Sequence, residues 1–133
     1  MLERMLKTFG SIFEALCVHD LRLYAEADGG KIFHYHDSND NEIDAIVETH
    51  GGSWGAFEIK IGAKDIEPAS KNPNRVCNLM VKNGAEPPKV KCVICGMTDY
   101  AYRREDGTFV TPIIMLGPRH RDAVRGSRLR TLY

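Results

Sequence analysis

The sequence predicts an α/β fold in which helices flank a central mixed sheet of about five strands. The elements follow one another in the order α-β-β-β-α-β-β, which is also compatible with the α+β class. Three observations support it. Apolar residues recur at three- and four-residue steps up to about Glu26, as in an amphipathic helix. Three segments of strand-like alternation follow, and then a second helical segment precedes two further apolar runs. At 133 residues the chain is long enough to bury a core of its own.

The first helical segment leaves one question open at Gly10 and Ser11, where the helix could be divided. Ser11 and Glu14 have the S-x-x-E spacing of a capping box, in which the glutamate bonds the backbone at a helix start. The alternative for Glu14 is a role in a site. Gly29 and Gly30 are expected to end the segment.

A hairpin is predicted in the next part of the chain, after a strand at residues 31–36 and a polar turn at 37–41. Its strands are residues 42–48 and 54–61, joined by a glycine-bearing loop. With Glu48 opposite Trp54, a regular antiparallel register sets Ile43 opposite Ile59 and Asp44 opposite Glu58, with Lys60 on the same face as the acids.

Asp44 and Glu58 would repel each other across such a ladder unless a cation or a proton lies between them. Paired carboxylates are hard oxygen ligands that suit Mg²⁺ or Mn²⁺. The Lys60 ammonium could then orient a water molecule or stabilise developing negative charge. The alternative interpretation is a solvated hairpin face with a surface ion pair, worth less than about 1 kcal/mol.

The second half is predicted to contain a helix and two strands. The helix, residues 64–82, is expected in two pieces, with Asp65 capping the first and Pro73 opening the second. Strands are expected at residues 89–97 and 109–116.

Cysteine usage argues against a zinc site. Cys92 and Cys95 lie three apart in a predicted strand and would point to opposite faces, while Cys17 and Cys77 belong to helical core stripes. Four reduced thiols and the lack of a long apolar run indicate a cytoplasmic protein with no membrane partner. A formal net charge of zero gives no global attraction to nucleic acid.

Four stretches carry a family resemblance: GSIFEALCVHDLRLYAE, YHDSNDNEIDAIVE, WGAFEIKIG and YAYRREDGTFVTPIIMLGP. An Asp, a turn and then Glu-x-Lys resembles the PD-(D/E)XK nuclease superfamily. Over residues 5–118 the chain resembles, more narrowly, the uncharacterised domain that forms the C-terminal half of many prokaryotic AAA-type ATPases. The resemblance implies a restriction-endonuclease-like core, which we assign to residues 1–118. The remaining residues, 119–133, are rich in arginine and are expected to form either a solvated or disordered end or an arm that contacts phosphates.

The resemblance also implies site residues. Asp44, Glu58 and Lys60 match the nuclease motif positions, and Glu14 matches a glutamate often present on the first helix. The expected function is a phosphodiesterase acting on DNA, with Mg²⁺ or Mn²⁺ held by Asp44, Glu58 and Glu14, and with Lys60 as a further catalytic residue. His36 departs from the pattern, since we expect an arginine or a similar residue there.

The resemblance also implies an AAA-type ATPase module as a partner. The chain has no GxxxxGK[ST] motif, so it is not expected to be the ATPase itself. The alternative function is a non-catalytic accessory domain that keeps the nuclease fold. The sequence does not indicate an oligomeric state.

Overall fold

The architecture was determined from a computed structural model, in which residues 1–112 are described. The elements are helix α1 (Leu2–Ala27), strands β1 (Lys31–His36), β2 (Glu42–Glu48) and β3 (Trp54–Lys60), a 3₁₀ turn (Ala63–Asp65), helix α2 (Ile66–Lys82), and strands β4 (Val90–Cys95), β5 (Tyr102–Arg103) and β6 (Phe109–Thr111). The predicted continuation of the last strand to residue 116, the domain boundary at 118 and the arginine-rich tail lie outside the described residues.

One six-stranded sheet forms the centre, in the order β1-β2-β3-β4-β6-β5. β1, β2 and β3 form an antiparallel meander, β3 and β4 are parallel, β4 and β6 are parallel, and β5 is antiparallel to β6. The predicted mixed sheet flanked by helices is therefore confirmed. The two-residue β5 is an addition that the sequence did not indicate.

The helices cover opposite faces of the sheet. α1 buries Cys17 and Leu21 against Phe57 and Ile94 on one face. α2 covers the other through two clusters, listed here with the sheet residues they contact: Val76 and Cys77 against Ile43, Ile46 and Ala56, and Ile66 and Ala69 against Val93, Cys95 and Val110. Strands β3 and β4 are buried on both faces, as central strands between two helical layers are.

The structure corrects two expectations about the helices. α1 is continuous through Gly10 and Ser11, and Ser11 Oγ donates to the Lys7 carbonyl at 3.2 Å, a bond typical of a serine inside a helix. α2 is one helix with Pro73 inside it. Pro73 is buried, and its fixed φ is compatible with the helix, so packing against the sheet compensates for one missing main-chain bond.

Asp65 occupies the N-cap position of α2, as predicted, but its side chain makes no capping hydrogen bond. Within residues 1–112, no helix has both the length and the hydrophobicity needed to cross a lipid bilayer.

Candidate carboxylate site

A β-bulge in β2 shapes the site. Between the pairs Phe33–Ile46 and Tyr35–Ile43, β1 advances by two residues while β2 advances by three. Between these two pairs β2 has two residues, Asp44 and Ala45, whereas β1 has one. As a result Ile43 and Ile46 contact the same α2-side cluster, whereas a regular strand would alternate their faces.

The predicted hairpin register is confirmed only in part. Glu48 pairs with Trp54 and Ala45 with Phe57, as expected, and the ladder between the two strands ends there. The predicted pairs Ile43–Ile59 and Asp44–Glu58 are wrong as ladder partners, because the bulge shifts β2 just before Ala45.

Asp44 and Glu58 nevertheless approach each other, through bonds between side chain and main chain. Asp44 Oδ2 accepts a hydrogen bond from the Ile59 amide at 2.9 Å, and the Asp44 amide donates to Glu58 Oε1 at 3.4 Å. The bulge turns the Asp44 carboxylate towards β3, so it bonds an amide of that strand. The two acids are therefore held by the backbone of each other's strand.

Glu58 is the buried member of the pair, with 5 % of its surface exposed. Burial, followed by the charge of Asp44 and a hydrogen bond to it, raises the pKa of Glu58 to about 8. Glu58 therefore carries a proton at neutral pH. A divalent cation can replace such a proton, so the donors present are of the right chemistry for Mg²⁺ or Mn²⁺.

Lys60 follows Glu58 by two residues on the same side of β3 and is exposed. It lines a cavity of about 420 Å³ together with Glu58, Asp65 and Asn72. The structure thus brings Asp44, Glu58 and Lys60 into one region, with the lysine at its open edge.

Glu14 approaches this region from α1. Its partial burial raises its pKa, the charge of Asp44 adds to that effect, and the Lys60 ammonium opposes it. Glu14 is thus within electrostatic range of both groups. In residues 1–112, however, no three His, Cys, Asp or Glu side chains form a cluster with metal-binding geometry, so the predicted three-carboxylate set is not assembled here. The capping-box alternative for Glu14 is wrong, because Ser11 lies inside α1.

A chain of polar residues behind Glu58 was missed by the sequence analysis. Asn72 in α2 donates to Glu58 Oε1 at 3.2 Å and to the Glu42 carbonyl at 2.5 Å. Arg75 donates to Asn72 Oδ1 at 3.0 Å and to Oδ1 of the buried Asn41 at 2.6 Å. Their only sequence signal is the three-residue spacing of Asn72 and Arg75, which places both on one side of a helix.

His34 also contacts this site. Its Nδ1 is 3.3 Å from the Asp44 carbonyl, and its Nε2 is 3.1 Å from Glu42 Oε1. The ring thus contacts the main chain at the bulge. The alternation of residues 31–36 predicts His34 and His36 on one face of a strand, either as a two-imidazole metal arm or as ordinary surface residues. That pattern does not predict the bulge that brings the Asp44 carbonyl next to His34.

The predicted positions of the cysteines, in the core and with Cys92 and Cys95 on opposite faces of the sheet, are confirmed. All four thiols are free and buried. Cys92 belongs to the α1-side cluster and Cys95 to the α2 side, so the CxxC pair points in opposite directions.

Comparison with known proteins identifies a family but no activity. Neither a curated protein nor a solved structure gives a significant match to the chain. A family model described as "Domain of unknown function (DUF4143)" matches residues 9–116, most of the chain. The chain therefore belongs to the DUF4143 family.

Proposed function

We propose that this domain is a metal-dependent phosphodiesterase that acts on DNA. The observation that carries the proposal is the carboxylate pair, in which a buried Glu58 and an Asp44 redirected by a β-bulge share a site beside Lys60. A fold that places two carboxyl groups together, one of them buried, bears a free-energy cost, because the buried group must either stay protonated or repel its neighbour. A bound cation removes this cost. A β-bulge is also a common means of aiming a functional side chain.

In this proposal Asp44 and Glu58 hold Mg²⁺ or Mn²⁺, and Glu14 assists from α1. Such an ion would supply Lewis-acid polarisation of the phosphate and would make water a better nucleophile. Glu58 would release its proton when it binds the ion. The Asn72 amide keeps the Glu58 carboxylate oriented, and the Lys60 ammonium binds a phosphate oxygen at the open edge.

We further propose that the domain works with an AAA-type ATPase module. The family resemblance of the four sequence stretches supports this partner, together with the lack of a phosphate-binding GxxxxGK[ST] motif in the chain. ATP hydrolysis would then belong to the partner module and DNA cleavage to this domain.

The decisive experiment combines thermal scans with cleavage assays on plasmid and single-stranded DNA. The wild-type protein should melt at a higher temperature with millimolar Mg²⁺ or Mn²⁺. The free energy of unfolding should rise by about 2.7 kcal/mol if the ion concentration is 100 times its Kd. It should also cut DNA only with the metal. Asp44→Asn should remove both effects yet hold or raise the metal-free melting temperature, because it removes a charge and retains an oxygen for the Ile59 amide.

Lys82→Gln, an exposed change at the far end of α2, is the control and should behave as wild type. A wild-type protein whose melting temperature ignores both ions, combined with a weakened Asp44→Asn protein, would exclude the metal site and the nuclease with it.

A second candidate function is a non-catalytic accessory domain of an ATPase. The observation that favours it is that Asp44 and Glu58 already have partners within the protein, namely the Ile59 amide, the Asn72 amide and each other. Co-purification with a co-expressed ATPase module that survives Asp44→Ala and Glu58→Ala would support this role. Metal-dependent cleavage by the isolated chain would count against it.

A further inference from the structure

A second cavity adjoins the carboxylate site. It is a groove of about 690 Å³ between α1 and the end of β3, and it is lined by Lys7, Gly10, Ser11, Phe13, Glu14, Ile59, Lys60, Ile61, Gly62, Lys64, Asp65 and Met97. We call it the α1–β3 groove. It shares the lining residues Lys60 and Asp65 with the cavity that contains Glu58, so the two cavities are neighbours.

Three lysines from three different elements line the α1–β3 groove: Lys7 on α1, Lys60 on β3 and Lys64 in the 3₁₀ turn. Within residues 1–112 none of them forms an ion pair. Glu14 and Asp65 also line the groove, so its charge is mixed but positive in sum. Separate ammonium groups along a channel bind a chain of phosphates better than a single anion.

The remaining lining is apolar. Phe13, Ile61 and Met97 contribute to it, and Met97 is 67 % exposed although it is a large apolar residue. Gly96 lies under the Phe13 ring, since a Cβ at that position would be 3.1 Å from Phe13 Cζ. Apolar and aromatic surfaces beside lysines suit unstacked bases, which a single strand can present and a duplex cannot.

Gly10 explains how the groove stays open. It lies within a 26-residue helix, where glycine costs roughly 0.5–1 kcal/mol relative to alanine. A Cβ there would be 3.7 Å from Ile61 Cδ1, in ordinary contact, and a longer side chain would extend across the groove. Gly10 therefore makes α1 less stable than alanine would, but it leaves space between α1 and β3.

We propose that the α1–β3 groove binds a single DNA strand and leads its phosphates to Asp44 and Glu58. This inference rests on the proposed function for its substrate and adds the substrate's form, a single strand. Lys7 and Lys64 contact phosphates at a distance from the reacting centre, and Phe13 and Met97 contact bases.

The test is fluorescence anisotropy with one labelled DNA oligonucleotide, single-stranded or annealed to its complement, in EDTA so that nothing is cut. The single strand should bind at least tenfold more tightly than the duplex. Gly10→Leu should weaken strand binding about tenfold, comparable to the loss of one stacked base. Lys7→Gln with Lys64→Gln should weaken it and lower the salt-dependence slope by about 0.7 per lysine.

The matched control is Lys31→Gln with Lys82→Gln, two exposed lysines that do not line the groove, and it should change binding less than twofold. Gly10→Leu should keep its melting temperature, because leucine is a better helix former than glycine. Equal binding of strand and duplex, or groove variants that bind like wild type, would overturn the inference. Strand binding that depends on the groove, with no cleavage in any metal, would support the groove and refute the phosphodiesterase.

Discussion

Glu58 shows how one residue can be costly to the fold and useful to it. Its side chain is buried next to Asp44, and both facts disfavour its charged form. Asn72 in α2 offsets part of this cost, because its amide donates a hydrogen bond of 3.2 Å to Glu58 Oε1. Without a cation the folded protein therefore holds a proton on Glu58 that an unfolded chain would release.

This proton makes stability depend on pH in a defined direction. The pKa of Glu58 is about 8 in the folded protein and 4.5 in its unperturbed state. Between these values the folded state binds more protons than the unfolded state, so stability falls as pH rises from about 5 to about 8. The loss should be on the order of 3 kcal/mol, or roughly 10 °C in melting temperature.

Glu58→Gln is the variant that isolates this contribution, because glutamine stays neutral at every pH. Melting temperatures of both proteins should be measured in EDTA from pH 5 to 9. The difference between them should grow with pH in favour of Glu58→Gln and level off above about pH 8.5. Parallel curves would mean that Glu58 titrates normally in the folded protein.

At the scale of elements, α1 carries two apolar stripes, and only one of them covers the sheet. The inner stripe includes Cys17, Leu21 and Ala25, which are buried. The outer stripe remains 53–71 % exposed in the described structure and consists of Leu2, Met5, Phe9, Ile12, Leu16 and Leu23. Helical periodicity identified the helix, but both stripes fit that periodicity, so it did not choose the stripe that packs.

The continuity of α1 can be tested at Ser11. Inside a helix, Ser11→Ala should be neutral or stabilising by up to about 0.5 kcal/mol, because alanine has the higher helix propensity. At a capping position the same change would cost about 1 kcal/mol. Chemical denaturation of the two proteins at constant pH measures the difference.

Thr8→Ala is the matched control for Ser11→Ala. Thr8 lies one turn earlier, and its hydroxyl donates to the Arg4 carbonyl in the same way, at 3.0 Å. Both substitutions should therefore have the same sign. A loss of stability confined to Ser11→Ala would indicate a helix start at that residue.

At the scale of the whole molecule, the four cysteines are divided between the two layers of the core, one on each side of the sheet. Cys17 and Cys92 lie between α1 and the sheet, while Cys77 and Cys95 lie between α2 and the sheet. Burial raises the pKa of the Cys17 thiol to about 12 and that of the Cys77 thiol to about 11, so neither is a thiolate at neutral pH.

Thiol modification should therefore follow global unfolding. We expect none of the four thiols to react with an aromatic disulfide reagent at pH 8 within minutes, and all four to react in denaturant. EDTA should not change the native result, since a zinc ion is not needed to protect them. Rapid reaction of one thiol in the native protein would show that one layer opens on its own.

The sequence by itself determined much of the fold. β1 and β2 have the predicted bounds, β3 and α1 differ by one residue at one end, and the pairing of Glu48 with Trp54 is the predicted one. These features depend on local alternation, helical periodicity and turn residues, all of which are patterns among residues close together in the sequence. The same local pattern also selected Asp44, Glu58 and Lys60.

Tertiary structure decided the features that depend on distant residues. The bulge at Asp44 arises between β1 and β2, and it replaces the expected cross-strand pair by bonds to the Ile59 and Asp44 amides. Asn72 reaches Glu58 only because α2 packs on that face. Pro73 remains inside α2 because burial outweighs its local tendency to break a helix. Patterns along the chain specify faces and elements, whereas which side chains meet depends on how the layers pack.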